Sequence, residues 1–94
     1  MPGIPMLRLT ILSQTPEEVV LALDGRVAEA EVKVLEQEGS QHLRQVHRLV
    51  LDLEGVKYID RAGIALLQRW AGERLALRGG SPFVRMMLQE HGLN

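Results

Sequence analysis

The chain of 94 residues is long enough for one well-filled core and too short for two, so it reads as one domain over residues 1–94. Apolar residues make up 46% and charged residues 24%, a globular balance that excludes a disordered chain. A formal net charge of −1 excludes the basic stripe that a nucleic-acid binder needs. The absence of cysteine removes disulfide and thiol chemistry and suits a reducing compartment. No apolar run approaches the roughly 18–20 residues that cross a bilayer. Met1-Pro2-Gly3-Ile4-Pro5 lacks the basic region and apolar run of a signal peptide. A cytoplasmic chain without membrane insertion is therefore expected.

Along the chain, Met6 to Leu12 alternates Leu7, Leu9 and Ile11 against Arg8 and Thr10, the period-2 pattern of a strand with one buried face. Residues 13–18 carry turn chemistry. The run Val19-Val20-Leu21-Ala22-Leu23 predicts a second strand, antiparallel to the first and ending at Asp24-Gly25. From Ala28 to about Gln45 the period becomes helical, with Val32, Leu35, Gly39 and Leu43 on one face. A glycine inside a helix costs about 1 kcal/mol against alanine, so Gly39 predicts a close approach, most simply to the sheet.

Leu49-Val50-Leu51-Asp52-Leu53 reads as a central strand, followed by a loop over residues 54–60. Asp60 is a good N-cap for a helix carrying Gly63, Leu66, Leu67, Trp70 and Ala71 on one side. Gly72 breaks that helix, and Arg74 to Arg78 alternates as a short fourth strand. The competing reading is one helix from Arg61 through Arg78. Ser81-Pro82 is a helix start, Phe83, Val84, Met87 and Leu88 are assigned inward, and Gly92 is the stop. The predicted fold is α/β, with a mixed four-stranded sheet in the order β-β-α-β-α-β-α, covered by helices. The last three strands should run parallel through right-handed crossovers.

Catalytic chemistry finds little support. Asp52-Leu53-Glu54-Gly55-Val56 loosely resembles the aspartate loop of haloacid-dehalogenase-like phosphatases, but that chemistry needs a second acid, a lysine and further loops to hold magnesium. A strand end followed by a glycine turn accounts for it. His42 and His47 are five apart on one predicted helix, and His91 is distant, so they form no metal-ligand spacing. Ser13, Ser40 and Ser81 have turn, helix-surface and capping roles, and none sits in a nucleophile elbow. Gly79-Gly80 lacks the Lys-Ser/Thr of a phosphate loop. No enzyme activity, metal or cofactor is expected.

Read together, residues 49–64 resemble the central motif of the STAS family, the sulfate-transporter and anti-sigma-factor-antagonist domain. The family's pattern is a hydrophobic strand ending in Asp-Leu, then Gly-Val, an aromatic-Ile-Asp, two small hydroxyl residues and Gly, and Asp52-Leu53, Gly55-Val56, Tyr58-Ile59-Asp60 and Gly63 match it. Upstream, residues 21–27 look like the family's strand at the first helix. Downstream, residues 81–84 and 91–93 look like the ends of its later helix. Two departures stand out. The family's antagonists carry two hydroxyl residues where this chain has Arg61 and Ala62, and the second of them receives phosphate from an anti-sigma kinase. Ala62 stands at that phosphoacceptor position and cannot be phosphorylated. The segment from Gly63 to Ser81 is also shorter than usual.

In parallel sheets, partners meet the carboxyl ends of the strands. These are Asp24-Gly25-Arg26, Lys57 to Gly63, and Arg78 to Ser81. Asp24, Arg26, Lys57, Tyr58, Asp60, Arg61, Ala62 and Gly63 are therefore the candidate partner-binding residues. The resemblance implies a non-enzymatic protein-binding module whose partner is an anti-sigma factor or serine kinase, with a role in transcription regulation and bacterial-type signalling. Two other readings remain open: a STAS-like scaffold subunit of a complex such as a lipid-transport ABC system, and a small-molecule or nucleotide sensor.

Overall fold

In the computed structural model, which describes residues 7–72 and 74–93, seven elements follow in the expected order. They are β1 (Leu7–Gln14), β2 (Glu18–Val27), α1 (Ala30–Gln45), β3 (Arg48–Ile59), α2 (Arg61–Trp70), β4 (Leu75–Arg78) and α3 (Pro82–Glu90). The reading of Met1 to Met6 lies outside the described residues. A four-stranded sheet has the spatial order β1-β2-β3-β4. β1 pairs antiparallel with β2, and β2, β3 and β4 run parallel. The β1–β2 turn is set by Thr15, whose Oγ1 accepts hydrogen bonds from the backbone N–H groups of Glu17 at 3.2 Å and Glu18 at 3.0 Å.

Both helical crossovers step in the same direction across the sheet, and right-handed connections then place α1 and α2 on one face. The core lies between that face and the helices. Val19, Leu21 and Leu23 of β2 and Leu49, Leu51 and Leu53 of β3 are at most 2% exposed. Leu35, Leu66, Leu67, Val84 and Leu88 from the helices join the same apolar cluster. Full burial of each such side chain stabilises by roughly 1.5–3 kcal/mol. Alternation sends Val20, Val50, Asp52 and Arg78 to the opposite face. There, cross-strand ion pairs Glu18–Arg48 at 3.3 Å and Asp52–Arg78 at 2.8 Å bracket the Val20–Val50 pair.

Two strands run further than their apolar cores predicted. β2 continues through Asp24-Gly25 to Val27, and β3 continues through the expected loop to Ile59. Register shifts between Ala22 and Asp24 and between Gly25 and Arg26 absorb the extra residues, so pairing resumes at Arg26↔Tyr58 and Val27↔Ile59. Gly55 is thus not a turn glycine. A β carbon there would collide with the Asp24 carboxylate on the neighbouring strand.

The helices bring further corrections. Gly39 is buried against the ring of Trp70 in α2, so the close approach is between helices rather than to the sheet. α2 stops at Trp70 with Ala71 as its cap, which supports the short-helix reading. Arg74, at φ 72°, leads into β4, and its guanidinium donates to the carbonyls of Leu43 at 2.6 Å and Val46 at 3.0 Å at the end of α1. His47 lies beyond α1, so it shares no helix with His42. In α3, Ser81 Oγ accepts from the Val84 N–H at 3.2 Å. Val84 and Leu88 point inward, but Phe83 is 54% exposed rather than buried. Gly80 lies close to both Leu53 and Val84; with Val84 turned to the core, Phe83, one residue earlier, falls outside the inward stripe.

Two expectations follow. Gly39→Val should lower the unfolding free energy by about 2 kcal/mol, and by clearly less in a Trp70→Leu background, as read by urea denaturation. The second concerns Asp52, which Arg78 and the Glu54 N–H hold below the ordinary carboxylate value of 3.8. A lowered folded value means that the carboxylate's contribution is fully present above the unfolded value. It is lost as pH falls through the lower folded one. Asp52→Asn should therefore flatten the acid limb of a stability–pH profile below about pH 4 and leave the neutral region less affected. Arg78 is half exposed, so the effect should be small.

Candidate functional site

The site is built where β2 and β3 end and α1 and α2 begin. Its fixed point is Asp60. One carboxylate oxygen, Oδ1, accepts from the Gly63 N–H at 2.8 Å, which caps the first turn of α2. The other, Oδ2, accepts from the Glu29 N–H at 3.0 Å, immediately before α1. The Asp60 N–H donates to the Val27 carbonyl at 3.0 Å at the end of β2. One residue thereby ties two helix starts to a strand end. Glu29 adopts φ 50°, a left-handed conformation unusual for a side-chain-bearing residue, and it makes no side-chain cap of its own for α1. The Asp60 carboxylate satisfies the N–H that this bend exposes.

Gly63 is buried and close-packed. A β carbon there would lie 2.7 Å from the Val27 carbonyl and 2.8 Å from Ile59 Cγ2. Any larger residue would lift the first turn of α2 off the sheet. Arg61 and Ala62 occupy the two helical positions between Asp60 and Gly63, and both are exposed. Arg26 and Tyr58 meet across β2 and β3, with the guanidinium carbon 5.5 Å from the ring centroid. This is cation–π geometry, worth about 0.5–1 kcal/mol at exposed sites. Lys57, the residue before Tyr58 in β3, is exposed, and Asp24 packs against Gly55.

The structure thus brings Asp24, Arg26, Lys57, Tyr58, Asp60, Arg61, Ala62 and Gly63 to one end of the sheet. Asp60 and Gly63 face inward and hold the backbone, while Arg26, Lys57, Tyr58, Arg61 and Ala62 form the outer surface. The third expected loop is held separately. Glu54 Oε2 accepts from the Gly80 N–H at 3.0 Å, and Arg85 donates to the Gly79 carbonyl at 3.3 Å. Sequence reading had no signal for Glu29 or Glu54, whose partners lie 31 and 26 residues away. Among the described residues, no three His, Asp or Glu side chains come together as metal ligands would. No helix among them is long and apolar enough to cross a membrane.

The comparisons agree with this geometry. The family described as "Mlab, STAS domain" matches residues 11–94, nearly the whole chain. The chain belongs to this STAS-domain family. Among solved structures, it is similar to the anti-sigma factor antagonist SpoIIAA in its unphosphorylated form. That likeness has a TM-score of 0.76 and 25% sequence identity, and it covers 93% of this chain and 81% of SpoIIAA. A search of curated proteins finds no match. The STAS fold is therefore that of an anti-sigma-factor-antagonist-like module, and its helix after the third strand opens with Asp60, Arg61, Ala62 and Gly63.

Asp60→Ala should destabilise the domain by about 2–3 kcal/mol, because it removes a helix cap and a second backbone acceptor at once. Hydrogen exchange at the Glu29 and Gly63 amides should accelerate together. Acceleration at Gly63 alone would mean that Asp60 does not bridge the two helix starts.

Proposed function

We propose that this STAS domain is a non-enzymatic cytoplasmic docking module of the anti-sigma-factor-antagonist type. In this reading it engages a protein partner through the end of the sheet that carries Asp24, Arg26, Lys57, Tyr58, Asp60, Arg61, Ala62 and Gly63. Its docking is not switched by phosphorylation at position 62. The observation that carries the reading is the division of labour around Asp60. The buried side of the α2 start is fixed by Asp60 and Gly63, and its exposed side presents Arg61 and the bare methyl of Ala62.

A phosphate at the second helical position would meet free backbone amides and the positive end of the helix dipole, so it would not unfold the domain. It would act by placing about −1.5 to −2 charges in the docking surface. Alanine leaves that surface permanently in its uncharged state. The resulting function is constitutive binding, with an anti-sigma factor or serine kinase as the partner that the likeness to SpoIIAA favours.

A second reading is favoured by the description of the matched family, Mlab. In it the same surface holds the chain as a scaffold subunit of a complex such as a lipid-transport ABC system, where a switch is not required. A sensor role has weaker support. A half-open cavity of about 160 Å³ between Ala71, Leu75, Leu77, Gly92 and Leu93 is small beside sites that enclose drug-sized ligands.

The test is a titration of wild type, Arg61→Glu and Ala62→Asp against the purified protein that co-purifies with the chain. Both variants should melt within a few degrees of wild type, since exposed substitutions usually change stability by less than about 0.5 kcal/mol. Both should bind at least tenfold more weakly. A kinase or sigma-factor regulator as the recovered protein selects the first reading, and an ATPase of a transporter selects the second. Affinities unchanged in both variants would remove this surface from the interface.

A further inference from the structure

The cations of this chain fall into two groups. Five are engaged within the fold. Arg48, Arg69 and Arg78 pair with Glu18, Glu36 and Asp52, Arg74 holds the carbonyls of Leu43 and Val46, and Arg85 holds that of Gly79. The other six, Arg8, Arg26, Lys33, Arg44, Lys57 and Arg61, make no ion pair or hydrogen bond through their side chains with the described residues.

Five of these six belong to the segments that meet at the end of the sheet described above, on both of its faces. Arg8 stands opposite Asp24 in the β1–β2 register, and Arg26 stands opposite Tyr58. Lys57 immediately precedes Tyr58 in β3, Arg61 opens α2, and Lys33 lies in the first turns of α1. Arg44 alone lies at the far end of α1. Acids are close at hand without pairing. Asp24 faces Arg8 across the strands and is two residues from Arg26, yet neither forms an ion pair with it.

We infer that this end of the sheet binds an acidic protein surface, one that presents discrete carboxylates to Arg26, Lys57 and Arg61. The inference rests on the docking reading above and names the chemistry of the partner. A partner covering this end removes water from the unpaired cations, and such groups keep their stability in a buried interface only when acceptors replace the water. The Arg26 guanidinium is already laid over the Tyr58 ring, which leaves its N–H edge free to grip a carboxylate with two bonds. Arginine and tyrosine are also the side chains that most often anchor interfaces.

A phosphate polymer or an anionic bilayer suits the surface less well. Both need a stripe of one sign. Here Asp24, Glu29 and Glu31 are interleaved with the cations, and the chain as a whole carries −1. Individually placed carboxylates can pair with the cations and avoid these acids.

The experiment is an NMR titration of the isotope-labelled chain with three probes: a decaglutamate peptide, phosphatidylserine vesicles and a short DNA duplex. The peptide should shift signals of Arg26, Lys57, Tyr58 and Arg61, with little change near Arg44 and Arg48. The double variant Lys57→Glu/Arg61→Glu should bind it at least fivefold more weakly. Lys57→Gln/Arg61→Gln, a gentler change, should show an intermediate loss. Peptide shifts that are absent, spread over the surface or equal in the double variant overturn the inference. Tighter binding of vesicles or duplex than of peptide, lost in the double variant, overturns it in favour of a polyanion. The natural partner separates the two levels of the argument. Weakening by Ala62→Asp without weakening by Lys57→Glu/Arg61→Glu leaves the docking surface in place and removes its acidic partner. Weakening by neither removes both.

Discussion

The carboxylate of Asp60 is the joint on which the rest of this surface hangs. Two oxygens reach amides that belong to different helices, and the residue's own N–H reaches the end of a third element. Remove it, and α1 and α2 lose their common origin at the end of the sheet. Backbone N–H groups at helix starts must find an acceptor somewhere, and a charged acceptor gives the stronger bonds. The half-buried setting of Asp60 keeps these bonds from being exchanged freely for water. Gly63 is the complement of this arrangement. The first turn of α2, whose Gly63 amide reaches Asp60, lies against Val27 and Ile59, closer than a side chain would allow.

The sheet is one-sided, and its two faces are stabilised by different means. Toward the helices, leucines and valines of β2 and β3 are buried almost completely. Away from them, among the described residues, no second helical layer covers the parallel strands as it usually does in such a sheet. Cross-strand charge pairs at Glu18–Arg48 and Asp52–Arg78 flank the small apolar centre instead. Asp52 also accepts the Glu54 N–H, and Glu54 in turn holds Gly80. The loop leading to α3 is therefore anchored to the central strand by two consecutive outward-facing acids.

Much of this was legible in the residues. Period-2 and period-3.6 patterns located every element, Asp60 and Ser81 announced their helices, and Gly72 correctly marked the end of α2. The misreadings share a physical origin. Gly55 looks like a turn residue, but its role depends on Asp24 in another strand. Gly39 answers to Trp70, which is 31 positions later. Phe83 is apolar, yet Val84 and Leu88 are the residues of α3 that join the core built on β2 and β3. In each case the deciding contact joins residues far apart in sequence, and periodicity within one element carries no information about it. The site shows the same limit. Its members could be collected from the strand ends, but nothing local told which would face inward and which outward.

That inward–outward division has an evolutionary consequence. Lys57, Arg61 and Ala62 carry no core packing and no hydrogen bond on which the fold depends. Changes there leave the reserve of stability nearly untouched, whereas changes at Asp60 or Gly63 draw on it heavily. A chain of this design can acquire a new recognition specificity, or a phosphorylatable hydroxyl, through single substitutions that the scaffold does not register. The partner repertoire can drift while the fold stands still.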